Sequence, residues 1–317
     1  CAALPEEALS WDERECNLWF CTDGEFHPRE ALGEGWQPLP AAASRPGSVT
    51  VVALTTGSRR RFHELLWWNF ECQRFPDKEL VIVETFDEEP SSFLSQKAAR
   101  HENVTHLCLL RAPGQDLSIG TKRNLGVHVA RGELIAHFDD DDLYAPAYLE
   151  TLTAKLLQSD LAKALKLSSW FAGDALDGSF ALCDAARLGR RQHLSRREPP
   201  VKSGLYGFGF SLLYRRSVAL QLAFADTNVG EDLDWCLRVM DVHGSQGIIL
   251  VPDESGLCLH VQHGENLSCF SDCRFREVPR EQIMGLQVSS SPGFQIYMQL
   301  AKEASQVAQE QEESESP

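Results

Sequence analysis

The sequence predicts an α/β domain: a mainly parallel central sheet flanked by helices. Three observations carry this. Short β-branched apolar runs alternate with segments of helical character. The runs are near-continuously apolar, as in strands covered on both faces. The fourth run ends in four aspartates, at the carboxyl end where open α/β sheets bind ligands.

The elements follow in order. Val49 to Leu54 reads as the first strand, and Arg60 to Phe75 as a helix with Leu65, Leu66, Trp68 and Phe70 supplying apolar surface. Leu80 to Val83 is the second strand, Ser91 to His101 a helix, and Val104 to Leu110 the third strand. Ser118 to Ala130 is helical and leads into the strand Leu134 to Phe138. Pro146 opens a helix to about Ser159, since proline fits a first helical position. Gly230 opens another, with Leu233, Cys236, Leu237 and Met240 as its expected buried stripe. Asp234 and Arg238 form an i, i+4 pair on its exposed side. Ile248 to Val251 is a short strand and Leu257 to Val261 an apolar segment.

Residues 1–46 form a Trp-rich extension (Trp11, Trp19, Trp36) closed by a linker from Pro38 to Pro46. Residues 47–290 read as a single large domain, and 291–317 as an amphipathic helix with an acidic, disordered tail.

The 317 residues are 43% hydrophobic, enough for a real core. A formal net charge of −16 argues against nucleic acid or an anionic membrane as partner. An anionic substrate then needs local cations or a metal. The ten cysteines are dispersed, several in apolar runs (Cys72, Cys108, Cys236, Cys258), as in a reducing, cytoplasmic setting. The pairs Cys16/Cys21 and Cys269/Cys273 lack partners at zinc spacing. No apolar run is long enough to span a bilayer. The chain begins with Cys1 rather than Met, so a processed form or fragment is expected.

Asp139 to Asp142 is the most informative stretch. Four adjacent carboxylates repel one another, more so where water is partly excluded. A divalent cation relieves this, and so does open solvent in an acidic turn. In extended backbone Asp139 and Asp141 point the same way and can share one ion. Their hard oxygens suit Mg²⁺ or Mn²⁺.

Two further clusters matter. Glu231 and Asp232 sit in the first turn of a helix, where acids complement its dipole. Asp232 also suits a general base taking a proton from a hydroxyl, with Trp235 nearby for a sugar face. His263 precedes Gly264 and can supply an imidazole to a metal, with His260 as the alternative; either also serves as an ordinary loop histidine. The stretch Arg187 to Lys202 is a basic loop, either solvated or ordered over an anion. Gly207-Phe208-Gly209-Phe210 lies either beside an acceptor or in a tight turn with core phenylalanines.

Together these clusters resemble a family 2 glycosyltransferase of the Rossmann-like GT-A fold, over about Val49 to Ser268. Val49 to Thr56 resembles the family's first strand, with Thr55 at its nucleotide-facing end. Leu80-Val81-Ile82-Val83-Glu84 resembles the second, with Glu84 where an aspartate is usual near the base and ribose. Gly120-Thr121-Lys122-Arg123-Asn124-Leu125-Gly126 resembles the segment whose basic residue and Asn face the nucleotide. Asp139-Asp140-Asp141 stands as the DxD motif, Gly230-Glu231-Asp232 as the ED motif, and His263-Gly264-Glu265-Asn266-Leu267-Ser268 as the HGxNxS ending.

The resemblance implies an inverting, metal-dependent enzyme. It moves one sugar from a nucleotide-sugar donor to a hydroxyl acceptor, since the QxxRW motif of processive members is missing. It implies Asp232 as base, Asp139, Asp141 and His263 around Mn²⁺ or Mg²⁺, and Thr55, Glu84, Lys122, Arg123, Asn124, Asp139 and Asp140 at the nucleotide. Lys122 and Arg123 read equally as surface residues of a helix. A nucleotidyltransferase of similar fold is an alternative, with Thr55 to Arg61 loosely like its glycine- and arginine-containing loop. A catalytically dead nucleotide- or carbohydrate-binding module is another.

Overall fold

The structure, a computed structural model, describes residues 4–5, 9–12, 17–21, 36–39, 41–111, 116–185, 204–263, 266 and 274–301. Cys16, Cys269, Cys273, the basic loop from Arg187 to Lys202, Gly264, Glu265, Leu267, Ser268 and the tail after residue 301 lie outside these.

At the amino end, β1 (Leu4–Pro5) pairs in parallel with a later strand. Strands β2 (Leu9–Asp12), β3 (Asn17–Cys21) and β4 (Trp36–Leu39) form a separate antiparallel sheet. The expected linker is therefore shorter than the sequence suggests. Pro38 lies in β4, which pairs only with β3, and an edge strand tolerates proline. Pro46 lies at the start of β5 (Arg45–Thr56), before its pairing register shifts. Residues 41–44 alone are without strand or helix.

The main sheet opens with β5, β6 (Lys78–Phe86), β7 (Val104–Leu110) and β8 (Gly132–Asp139). These run parallel in the order β7-β6-β5-β8, with β1 beyond β7. Their central residues are fully buried, including Val51, Val52, Leu80, Ile82, Ile135 and Ala136. Between them lie a 3₁₀ turn (Gly57–Phe62) running into α1 (His63–Glu71), then α2 (Ser92–Arg100) and α3 (Ile119–Val129). The first helix starts later than predicted because Arg59 leaves helical dihedrals, at φ −100° and ψ 17°. Ser91 and Ser118 cap α2 and α3, accepting from Leu94 N and Thr121 N.

Beyond β8 the sheet turns mixed. β9 (Leu143–Tyr144) and α4 (Tyr148–Leu157) follow the aspartates. β10 (Ala164–Asp174) pairs antiparallel with β11 (Phe180–Asp184) and with β12 (Leu213–Arg215), which also pairs antiparallel with β8. After α5 (Arg216–Ala219) and α6 (Glu231–His243), β13 (Ile248–Pro252) and β14 (Cys258–Gln262) add to β10 in parallel, and β14 pairs back to β9. β15 (Arg274–Glu277) edges β11; α7 (Arg280–Met284) and a helix α8 over residues 292–301 close the described chain.

This is the Rossmann-like α/β architecture the sequence predicts, a largely parallel sheet flanked by helices. The strand order reverses between β5 and β8. In such sheets the crevice beyond the strand ends at that reversal is the ligand position. Thr55, Thr56 and the aspartates end those two strands.

The buried stripe of α6 differs from expectation. Asp232, Trp235, Cys236 and Val239 face inward, one residue out of step with Leu233, Leu237 and Met240. The first-turn carboxylates turn toward the interior, and the Trp235 indole donates to Leu222 O at 2.6 Å. Trp235 is thus a core residue stacked on Phe224 at 5.1 Å, which corrects its reading as a sugar platform.

Candidate functional site

A cavity of about 670 Å³ opens beyond the ends of β5 and β8. Its wall brings together Thr55, Arg59, Lys122, Arg123, Asp139, Asp140, Asp141, Glu231, Asp232 and His260 from five stretches of the chain. The tetra-aspartate run and the Glu-Asp helix start therefore share one space.

The aspartate turn is braced from below. Tyr144 stacks on Phe138 at 3.8 Å. Its hydroxyl accepts from Asp139 N and donates to Phe210 O, both at 3.0 Å. Asn69 of α1 donates to Asp142 O at 2.6 Å and accepts from Tyr144 N at 3.1 Å. These bonds hold the carboxylates where repulsion would otherwise spread them.

The four carboxylates then divide by role. Asp142 is fully buried; its oxygens accept from Val261 N and pair with His260 Nδ1, both at 2.8 Å, tying the turn to β14. Asp140 accepts from Thr55 Oγ1 at 2.6 Å and from the Arg59 Nε and a terminal nitrogen at 2.9 and 2.6 Å. The same Arg59 nitrogen reaches Asp141 Oδ2 at 2.5 Å, and His263 Nε2 meets that oxygen at 2.8 Å. Asp139 keeps its carboxylate toward the cavity.

Electrostatics follows this division. Burial, the neighbouring Asp142 and Asp141 push the Asp139 carboxyl up to about 7, against the pull of Arg123. Burial also raises Asp140 and Asp142. Burial opposes ionisation of Asp141 too, but the His263 hydrogen bond and the Arg59 charge bring it down to about 2.

The donor set fits a divalent cation. Oxygens of Asp139, Asp141 and Asp142 lie within 4.8 Å of one another. Those of Asp142 are already engaged, which leaves Asp139 and Asp141; His263 bonds to Asp141 Oδ2 but stands outside that group of ligand atoms and outside the cavity-lining residues. His263 Nδ1 is buried with no hydrogen-bond partner among the described residues. Hard oxygens with one imidazole suit Mn²⁺ or Mg²⁺. His260, the alternative ligand, lines the cavity but gives Nδ1 to Asp142.

The opposite wall is cationic. Lys122 and Arg123 are both buried in α3, which removes their reading as surface residues. Lys122 Nζ donates to Thr85 Oγ1 at 2.8 Å and Asp116 at 2.9 Å. Arg123 Nε donates to Glu231 at 3.2 Å, while its NH1 is buried with no hydrogen-bond partner among the described residues. Gly209 gives Arg123 its room: a Cβ there would stand 2.3 Å from the guanidinium.

Gly207 to Phe210 all line the cavity, with Phe210 also a core residue. Phe208 holds φ +81°, a left-handed conformation uncommon for a bulky side chain. The buried Lys166 ammonium pins it by donating to Phe208 O. Asp232 lines the same space and accepts from Leu233 N at 2.7 Å. Gly230, at φ +80°, lets the chain turn into α6 so that both acids enter the cavity wall.

Two expected nucleotide residues are elsewhere. Glu84 is fully buried and off the cavity wall, accepting from Ser91 N at 3.0 Å and paired with His106 Nε2 at 2.7 Å. Its longer side chain, where an aspartate was the pattern, reaches into the layer under α2. Asn124 clamps the Phe224 backbone, donating to its carbonyl at 2.9 Å and accepting from its N–H at 2.8 Å. Thr55 lines the cavity, but its hydroxyl proton goes to Asp140. Arg59 is the residue sequence reasoning missed; its one signal was the arginine run directly after the first strand.

No family model and no curated protein matches the chain. Among solved structures it is similar to S. aureus TarS residues 1–349 in complex with UDP-GlcNAc, at 15% identity and a TM-score of 0.47, over 69% of this chain and 60% of that one. It is similar to the mannosyltransferase PcManGT from Pyrobaculum calidifontis in complex with GDP-Man and Mn²⁺, at 18% and 0.47, over 71% and 60%. It is also similar to M. tuberculosis glucosyl-3-phosphoglycerate synthase, at 13% and 0.43, over 73% and 81%. The chain thus spans about 60% of the length of the first two. These are likenesses to those proteins; the chemistry of the cavity stands on its own residues.

Proposed function

We propose that the protein is an inverting, metal-dependent glycosyltransferase moving one sugar from a nucleotide-sugar donor to an acceptor hydroxyl. One observation carries this reading. Carboxylates from the end of β8 and the start of α6 face one cavity, with Arg59, Lys122 and Arg123 around them. Acids alone would repel a diphosphate; acids with a cation and three basic side chains would hold one.

Asp141 and Asp139, with His263, would hold Mn²⁺ or Mg²⁺, which when bound supplies Lewis-acid stabilisation to the departing nucleoside diphosphate. Arg123 and Lys122 add positive charge along the α3 wall. Asp140, fixed by Thr55 and Arg59, stands on the nucleotide side. Asp232 takes the proton of the acceptor hydroxyl as that oxygen attacks the anomeric carbon. The C–O bond to the diphosphate breaks in the same displacement, so the configuration inverts. The apolar lip of Leu233, Val229 and Phe208 faces the acceptor side.

The test is product identity. A panel including UDP-GlcNAc and GDP-Man, incubated with the protein and Mn²⁺, should release nucleoside diphosphate. Pyrophosphate released from a nucleoside triphosphate and a sugar 1-phosphate, with no nucleoside diphosphate from the sugar-nucleotide panel, would make it a nucleotidyltransferase. Mn²⁺-dependent stabilisation by donors without any turnover would make it a binding module.

A further inference from the structure

We propose that His63 is a positioning residue of this cavity: as the neutral Nε2–H tautomer it turns the Thr55 hydroxyl onto Asp140 and so fixes how Arg59 is shared between Asp140 and Asp141. The proposal rests on the reading of the cavity given above. His63 lies outside the cavity wall, and no motif of the sequence includes it.

The argument is proton assignment by elimination. Both Asp140 oxygens accept from Arg59 Nε, at 2.9 and 3.0 Å, and Thr55 holds the one proton left for the 2.6 Å contact with Asp140 Oδ2. Thr55 Oγ1 must then accept in its 3.0 Å contact with His63 Nε2, which carries the ring proton. His63 Nδ1, 2.8 Å from Ser91 Oγ, is left as the acceptor of the serine proton. Ser91 Oγ itself accepts from Leu94 N at 3.3 Å, and Ser91 N donates to Glu84. Each proton in the chain has one direction. His63 is fully buried and burial lowers its pKa to about 4, consistent with a neutral ring.

The consequence falls on Arg59. Asp140 holds this guanidinium through two nitrogens, and the outer one also meets Asp141. With Asp140 pinned by Thr55, Arg59 stays shared. With Thr55 unaligned, Asp140 is free to turn and Arg59 to move fully onto Asp141, where it competes with a cation. Removal of such supporting partners lowers metal affinity by roughly 10–100-fold.

The experiment has two arms. Long-range ¹⁵N–¹H spectra of the metal-free protein at neutral pH should show His63 as the Nε2–H tautomer; an Nδ1–H tautomer or an imidazolium would overturn the proposal. Mn²⁺ titrations should then show Thr55→Val and His63→Leu weakened about tenfold or more. Thr55→Ser and His63→Gln, which keep the hydroxyl and the terminal N–H, should bind near the wild-type level, and all four should melt cooperatively. Wild-type Mn²⁺ affinity in Thr55→Val would overturn the proposal. Absence of Mn²⁺ binding in the wild type would instead sink the glycosyl-transfer reading, with the tautomer left to decide the relay.

Discussion

Two buried clusters of potential metal ligands stand at opposite ends of this contrast. Asp139, Asp141 and Asp142 form one; Glu84, His106 and Cys108 form the other, each with ligand atoms within 4.8 Å. The second is enclosed between β6, β7 and α2. Glu84 there has two bonds from Ser91 N and one contact to His106, so its charge is met inside the protein. Burial and the Glu84 charge push the Cys108 thiol up to about 11, away from the thiolate a metal needs. Asp139 and Asp141 of the first cluster line the cavity, and the Asp139 carboxyl is raised. The difference teaches that grouping alone does not make a site. Access separates the functional cluster from the structural one.

Substitutions should split along that line. The largest effect is expected for Asp232→Asn, which should retain donor binding yet lose about 10³-fold in turnover, near the middle of the general-base range. Normal turnover in this variant would remove Asp232 from its role. Asp141→Ala should lower Mn²⁺-dependent donor affinity by roughly 10²-fold or more, measured by titration, with little loss of stability. Glu84→Ala should do the reverse. It removes the acceptor that meets His106 Nε2 and should lower unfolding free energy by about 3 kcal/mol while Mn²⁺ binding stays within twofold. A Glu84 variant that lost Mn²⁺ binding at unchanged stability would erase the contrast.

A more gradual effect concerns pH. His63 and His137 are buried, and burial lowers both pKa values, that of His63 to about 4; nearby Arg123 adds to the effect on His137. The unfolded chain binds a proton on each near pH 6.5, the folded chain only at lower pH. Stability is therefore complete above pH 6.5 and falls as pH is lowered toward 4, by of the order of 3 kcal/mol for His63. Denaturant melts across this window would show it. Replacement of His63 by Gln should flatten the slope.

Much of the parallel half was legible in the sequence. Strands β5, β6 and β8 are buried on both faces, so Val49 to Leu54 or Leu134 to Phe138 reads as an unbroken apolar run. The mixed half was not. β10 carries Lys166 into the core and places two serines at its middle, because a buried ammonium holds the Phe208 loop and a bulge shifts the pairing at Leu167 to Ser169. The acidic motifs were visible as charge in the wrong place. Arg59 was not, since an arginine after a strand looks like any solvated turn until its partners are known. Glu84 and Asn124 mark the converse failure. Their types suit a nucleotide, but their bonds to His106 and to the Phe224 backbone are long-range and leave no local trace.

One titration bears most directly on the account: UDP-GlcNAc and GDP-Man, with other nucleotide sugars, added to the protein in a calorimeter with Mn²⁺ and again with EDTA. Binding of at least one donor that requires Mn²⁺ is the predicted result. Equal binding in EDTA, or heat from none of the donors in either condition, would contradict a cation-held diphosphate at Asp139 and Asp141.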